Sequence, residues 1–200
     1  MKKISELNES IWSDMEDRSI GDAYRQEDTV VLDTIKDFIE RHELKEGEYK
    51  INQDFSLDVY KSVFIKPNDL IDKMIPFKFG KVDGVFNIVD LKLETLKNSP
   101  REVTRDFVAY ENNIQNFIGG PEIVGGNFAA NVNYSLVSLD GSPKKIGGNY
   151  SILGCSWVKD IKGISPEIGK NLEIPIRPRV EFSDDDYRKY SNIKGQIIRK

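Results

Sequence analysis

Residues 119–128 read GGPEIVGGNF and residues 141–150 read GSPKKIGGNY, so one phrase occurs twice at an offset of 22 residues. The pattern extends in both directions, because a branched anchor residue recurs every 21 to 23 residues, at Val59, Val82, Val103, Val124, Ile146 and Ile168. Internal periods of this length are typical of solenoids, in which each turn buries its apolar face against the next turn. The sequence therefore predicts a stack of similar turns.

Two further columns describe one repeat. Four residues after each anchor stand Val63, Phe86, Phe107, Phe128, Tyr150 and Leu172, and a second apolar residue follows two positions later. This alternation predicts a short strand with both residues pointing inward. Nine residues after the first five anchors stand Asn68, Leu91, Asn112, Asn133 and Cys155. An inward Asn or Cys that hydrogen-bonds backbone is the leucine-rich-repeat pattern, so we expect an α/β solenoid of about six such repeats with short parallel strands.

The chain divides into four segments. Residues 1–27 form a polar arm, and residues 28–50 are expected to form a helical N-terminal cap that begins at Asp28 or Thr29. The apolar stripe of this helix comprises Val31, Leu32, Ile35, Phe38 and Ile39. Residues 51–174 are the repeat solenoid, and residues 175–200 are expected to form a C-terminal cap of a strand and a helix, with Ser183 as the helix N-cap.

Composition limits the function classes. A net charge of −4 and a pI near 5.2 argue against nonspecific binding to nucleic acid or to an anionic membrane, so the expected partner is protein. The first ten residues lack the apolar run of a signal peptide, so we do not expect secretion by that route. The single cysteine, Cys155, excludes an internal disulfide.

The sequence contains few candidates for catalytic or metal-binding residues. The only histidine, His42, is expected to be solvated at the end of a charged helix, and Cys155 is expected to be a structural thiol because it occupies the Asn/Cys column. Residues 163–171, GISPEIGKN, have the wrong spacing for a phosphate loop, and residues 183–187, SDDDY, have too few alternating ligands for a calcium loop. We therefore predict no enzymatic activity, metal or cofactor.

A binding surface is the remaining candidate. The strand residues that flank the inward pair are expected to face the concave side of the solenoid, where solenoids commonly bind proteins. An exposed apolar patch is predicted there, formed by Phe64, Val89, Val108, Tyr110 and Leu153. A second interpretation is that the N-terminal arm or a neighbouring copy covers this patch. Formation of a homo-oligomer is therefore an alternative.

The N-terminal arm carries its own apolar face. Its members recur at helical spacing and include one aromatic anchor, namely Ile4, Leu7, Ile11, Trp12 and Met15. Such a segment is typical of a docking helix that orders on a partner, although it could instead fold back on its own solenoid.

Four phrases resemble a known family. They are FGKVDGVF at 79–86, PEIVGGNF at 121–128, LVSLDGSPKKIGGNY at 136–150, and the opening ISELNESIWSDMEDRSIGDAYRQED at 4–28. Together they resemble the leucine-rich-repeat proteins of large tailed bacteriophages. The resemblance implies a virion structural or assembly component, attached through its N-terminal segment and found in the virion or the host cytoplasm. The alternative is a phage effector that binds and inhibits a host enzyme or defence protein through the concave face.

Overall fold

The chain is a β-solenoid of about six turns. The structure, a computed structural model, describes residues 22–200, with the side chains of residues 28–200. Each turn contributes one short strand to each of two sheets. Within residues 22–200 the helical elements are α1 (Asp22–Arg41), a 3-10 turn (Pro67–Asp69) and α2 (Asp184–Tyr190).

The first sheet contains eight strands, in the spatial order β1, β2, β4, β6, β8, β10, β12, β14. Their bounds are β1 Tyr49–Ile51, β2 Leu57–Val59, β4 Phe79–Val82, β6 Glu102–Val103, β8 Ile123–Val124, β10 Lys145–Ile146, β12 Glu167–Ile168 and β14 Asn192–Ile193. The second sheet contains β3 Val63–Phe64, β5 Phe86–Asn87, β7 Phe107–Val108, β9 Phe128–Ala129, β11 Tyr150–Ser151, β13 Leu172–Ile174 and β15 Ile197–Arg199.

The predicted repeat register is confirmed. All described strand pairs are parallel except β1 with β2, and each anchor lies opposite the anchor of the next turn, as Val103 does opposite Val124. The sequence predicted one strand per repeat, whereas the structure has two. The anchor itself belongs to the first sheet, and a bend at residues 125–127, for example, separates it from the strand of the second sheet. Between α1 and α2 the turns contain no α-helix, so the fold is a β-solenoid and the predicted α/β class is corrected.

An aromatic column fills the core. Phe86, Phe107, Phe128 and Tyr150 are fully buried, and their rings follow one another from turn to turn at centroid distances of 5.8, 5.4 and 5.2 Å. Phe117 packs edge-on against Phe128 from the opposite wall at 5.0 Å. Because each ring contacts its neighbours above and below, the core is continuous along the stack.

The inward Asn/Cys column is confirmed at three positions and wrong at one. The Asn112 amide donates to Ile88 O at 2.7 Å, Asn133 donates to Ala109 O at 2.9 Å, and Cys155 Sγ lies 3.2 Å from Ala130 O. Each side chain thus reaches the backbone of the preceding turn. Asn68 does not follow this rule, because it is exposed within the 3-10 turn and the neighbouring Asp69 is buried instead.

The repeated Gly-Gly-Asn phrase forms the bend between the two sheets. Asn127 Oδ1 accepts a hydrogen bond from the Asn149 amide at 2.9 Å, so this Asn column links successive turns. A Cβ on Gly148 would lie 2.5 Å from Asn127 Oδ1, and a Cβ on Gly147 would lie 2.1 Å from Gly125 O. Both glycines are therefore required by the close approach of the preceding turn. The sequence predicted this crowding but not the Asn column itself.

The two ends of the chain differ from their predicted boundaries. Helix α1 is already present at Asp22, so the expected N-cap at Asp28 or Thr29 is wrong, although the apolar stripe is packed on the core as predicted. Ser183 caps α2, and its Oγ accepts a hydrogen bond from the Asp186 amide at 3.1 Å, which confirms that prediction. Ile193 and Ile197 continue the columns of Ile168 and Leu172, so residues 192–199 add further strands to both sheets.

Candidate interaction surface

The predicted patch lies on the outer face of the second sheet. In β3 the side chain of Val63 is buried and that of Phe64 is exposed, so alternate residues point away from the core. The pairing register places Phe64, Asn87 and Val108 side by side on successive turns. A second column lies two residues beyond the end of each strand and contains Val89, Tyr110, Asn131 and Leu153.

Four of the five predicted patch residues belong to one half of this face, in the first three turns. We name Phe64, Val89, Val108 and Tyr110 the apolar half. Phe64 is 54% exposed, whereas the other three are half-buried, so the predicted full exposure is corrected. Half-burial follows from the close strand spacing, since each side chain shields its neighbours across the sheet. The result is an apolar surface with one projecting ring, interrupted by the half-buried Asn87 between Phe64 and Val108.

Tyr110 adds a polar group to the apolar half. Burial raises the pKa of its hydroxyl, and the negative charges of Glu173 and Asp106 raise it further, so Tyr110 is protonated at neutral pH. Among the described residues no hydrogen-bond partner of this hydroxyl is found. An aromatic ring with an unused donor is well suited to an interface, because it offers apolar area and one directional bond.

The rest of the same face carries a hydrogen-bonded polar network. Ser151 Oγ lies 2.8 Å from Asn131 Oδ1 and 3.1 Å from Glu173 Oε2, and Lys200 Nζ donates to Glu173 Oε1 at 3.0 Å. We name Asn131, Ser151, Glu173 and Lys200 the polar half. The fifth predicted residue, Leu153, is half-buried beside this network, and Asn131 separates it from Tyr110. Leu153 therefore lies apart from the apolar half.

The outer face of the first sheet is mostly charged. Lys81 pairs with Glu102 at 2.9 Å and Lys145 with Glu167 at 3.6 Å, in both cases across neighbouring strands. Ile123 lies between these pairs and is 43% exposed. The alternation of positive and negative side chains can be recognised in the sequence once the strands of the first sheet are known. The predicted repeat contained only one strand, so it assigned no position to these residues.

The only histidine lies in a charged cluster, which corrects the expectation of a solvated side chain. His42 stacks on Phe38 with ring centroids 4.0 Å apart, and its Nε2 lies 2.9 Å from Asp69 Oδ2. Arg41 Nε donates to Asp69 Oδ1 at 3.1 Å. Burial alone would raise the pKa of Asp69, but the hydrogen bonds from the Lys66 amide, His42 and Arg41 outweigh it and lower that pKa. The cluster fixes α1 to the turn after β3.

The Cys155 thiol and the metal-ligating residue types can be located in the described part of the chain. Burial raises the pKa of the Cys155 thiol to about 12, so the thiolate needed for nucleophilic attack is scarce at neutral pH. Residues 28–200 contain no group of three or more His, Cys, Asp or Glu side chains placed to hold a metal ion. No helix in the described residues is long and apolar enough to cross a bilayer.

The predicted docking residues Ile4, Leu7, Ile11, Trp12 and Met15 lie outside the described residues. Comparisons with protein-family models, curated proteins and solved structures find no match to this chain.

Proposed function

We propose that this chain is a non-enzymatic interaction protein that contacts a protein partner through the apolar half of its second sheet. The supporting observation is the contrast within one face. Phe64, Val108 and Tyr110 present apolar surface and an unused hydroxyl, whereas the neighbouring polar half is internally hydrogen-bonded. Apolar surface framed by polar residues is the usual composition of a protein-binding site.

The repeat is further proposed to be of the leucine-rich type, with α1 covering the first turn and residues 175–200, which include the final strands β14 and β15, closing the other end. The Asn112, Asn133 and Cys155 side chains support this assignment, because each bonds backbone as the repeat consensus requires. The absence of α-helix between the turns makes this a compact variant, with two narrow sheets in each coil.

The biological setting proposed is a large tailed bacteriophage, in whose virion the chain is a structural or assembly component attached through residues 4–17. The resemblance of the N-terminal phrase and of the repeats supports this setting. The second candidate is a phage effector that binds and inhibits a host protein. The projecting ring of Phe64 is the observation that favours it, since an exposed aromatic anchor suits a soluble partner's pocket.

Quantitative mass spectrometry of purified particles and of infected-cell lysate tests this proposal. A virion component is recovered with the particles in fixed proportion to a known structural protein. Recovery from the lysate alone excludes the virion role and favours the effector.

The Trp12→Ala variant tests attachment, with Trp157→Ala as its matched control on the solenoid surface. We expect Trp12→Ala to lower the amount bound to particles while the unfolding midpoint stays unchanged. A loss of stability comparable to a core substitution would instead show that the arm packs on its own solenoid.

A further inference from the structure

The last turn of the first sheet ends on backbone carbonyls that continue a regular hydrogen-bond column. Along the stack, the carbonyl of each anchor accepts a hydrogen bond from an amide of the next turn, as Val124 O does from Gly147 at 2.9 Å. The same bond joins Ile146 O to Gly169 at 2.8 Å and Ile168 O to Lys194 at 3.0 Å. By this pattern Ile193 O is the acceptor for a turn beyond the last one.

A parallel column runs two residues further along each turn. Gly126 O accepts from the Gly148 amide at 2.7 Å, Gly148 O from Lys170 at 3.0 Å, and Lys170 O from Gly195 at 2.9 Å. Gly195 O is therefore the second acceptor that the final turn offers to a successor. Unpaired edges of this kind favour association with extended backbone of another chain.

Arg188 occupies both acceptors. Its Nη1 donates to Ile193 O at 2.8 Å and its Nη2 donates to Gly195 O at 3.1 Å. The planar guanidinium thus supplies two N–H donors where the amides of another turn would lie, a geometry that a single ammonium cannot reproduce. The arginine is held in place by α2, which is capped at Ser183 and anchored by the buried Tyr187.

We infer that this end of the first sheet is a self-association edge that fits a second copy of this chain, and that Arg188 holds it closed. The Arg188 side chain imitates the next turn and satisfies the two carbonyls that a second copy would otherwise bind. Arg188 belongs to this turn because α2 is inserted between the anchors Ile168 and Ile193. These two anchors are further apart in sequence than those of the earlier turns. This inference does not depend on the proposed partner of the second sheet.

The Arg188→Met variant tests the inference, because methionine keeps an unbranched apolar stem and removes the donors. Sedimentation velocity over a range of concentrations is expected to show a species of at least twice the wild-type mass. Lys189→Met, the neighbouring substitution on α2, is expected to sediment as the wild type. Arg188→Lys is expected to fall between the two, since an ammonium bonds one carbonyl at a time. An unchanged mass for Arg188→Met overturns the inference.

Two further measurements locate the effect and cover a failure to fold. Adding Val108→Arg, on the outer face of the second sheet, is expected to leave the association of Arg188→Met intact. Loss of association in that double variant would place the contact on the wrong surface and overturn the inference. If Arg188→Met does not fold, NMR of the guanidinium groups of the wild-type protein tests whether Arg188 is held at the edge. Slow rotation and exchange protection at Arg188, relative to the exposed Arg177, support the closed edge, and free rotation at Arg188 overturns it.

Discussion

The outer face of the first sheet carries ion pairs between successive turns, whereas the outer face of the second sheet begins with an apolar half. Both sheets bury their inner columns in the same core, so packing does not explain the difference. Exposed ion pairs such as Lys81–Glu102 add little stability but keep a strand face soluble. Apolar side chains on the second face do not serve solubility, which points to contact with a partner.

The largest expected effect tests whether the two sheets share the core as described. Phe128→Ala removes a buried ring that contacts Phe107, Phe117 and Tyr150, and is expected to destabilise the fold by ~3–5 kcal/mol. Urea unfolding measures this free energy. The control Phe64→Ala, on the outer face of the same sheet, is expected to change it by about 0.5 kcal/mol or less. Similar losses in the two variants would show that inner and outer residues are misassigned.

The N-terminal ends of the two sheets provide the next test. The first sheet ends on β1, whereas β3 of the second sheet is followed by the Asp69 cluster that binds α1. Asp69→Asn is expected to cost about 1–3 kcal/mol, because charged hydrogen bonds to Arg41 and His42 are lost. Asp33→Asn, in an exposed pair on α1, is the control and is expected to be nearly neutral.

The Asp69 cluster also predicts a direction for pH dependence. Its folded-state pKa lies below the ordinary 3.8, so the carboxylate stabilises the folded state above that pH. The contribution is lost as the pH falls from about 3.8 through the folded-state pKa. Melting temperature measured between neutral and acidic pH is therefore expected to fall less steeply for Asp69→Asn than for the wild type. Identical slopes would show that the carboxylate is not ionised in the folded cluster.

A matched pair of charge substitutions compares the two outer faces directly. Val108→Arg is expected to weaken partner binding about tenfold or more, because a charge must then be desolvated within an apolar contact. Ile123→Arg, on the first sheet, is expected to change the affinity less than twofold, and isothermal titration with the identified partner measures both. Equal losses would remove the functional distinction between the faces.

The smallest effect is expected on the charged face. Glu102→Ala breaks the 2.9 Å pair with Lys81, and about 1 kcal/mol or less of stability should be lost because both side chains are partly exposed. Raising the salt concentration should reduce even that difference. A loss of several kcal/mol in urea unfolding would show that the ion pairs organise the first sheet.

The repeat register and the main core residues were predictable from the sequence, because identical side chains must stack at identical offsets. The period of 21 to 23 residues therefore placed Phe86, Phe107, Phe128 and Tyr150 in one column. The strand of the first sheet was missed in each turn because its buried anchor is not followed by a second apolar residue two positions later, so no alternating pattern marks it. Asn68 was misplaced because its repeat turns into a 3-10 segment, where Asp69 takes the buried position.

The candidate site was only partly predictable. Strand alternation identified which side chains point outward, and the register brought Phe64 and Val108 to one face. The order of the outer column already places Asn131 between Tyr110 and Leu153. The hydrogen bonds of Ser151 with Asn131 and Glu173 depend on side-chain conformations, which no spacing rule contains. The Arg188 contacts likewise depend on where a seven-residue helix lies, and helix position is a tertiary property.

Site-specific photo-crosslinking tests the central claim most directly. A photoreactive phenylalanine is introduced at Val108 on the second sheet or at Lys145 on the first, and each variant is incubated with purified particles and infected-cell lysate before irradiation. We predict that position 108 forms a crosslink to one defined protein and that position 145 forms none. Crosslinks to that protein from position 145, without any from position 108, would contradict the assignment of the second sheet as the binding face.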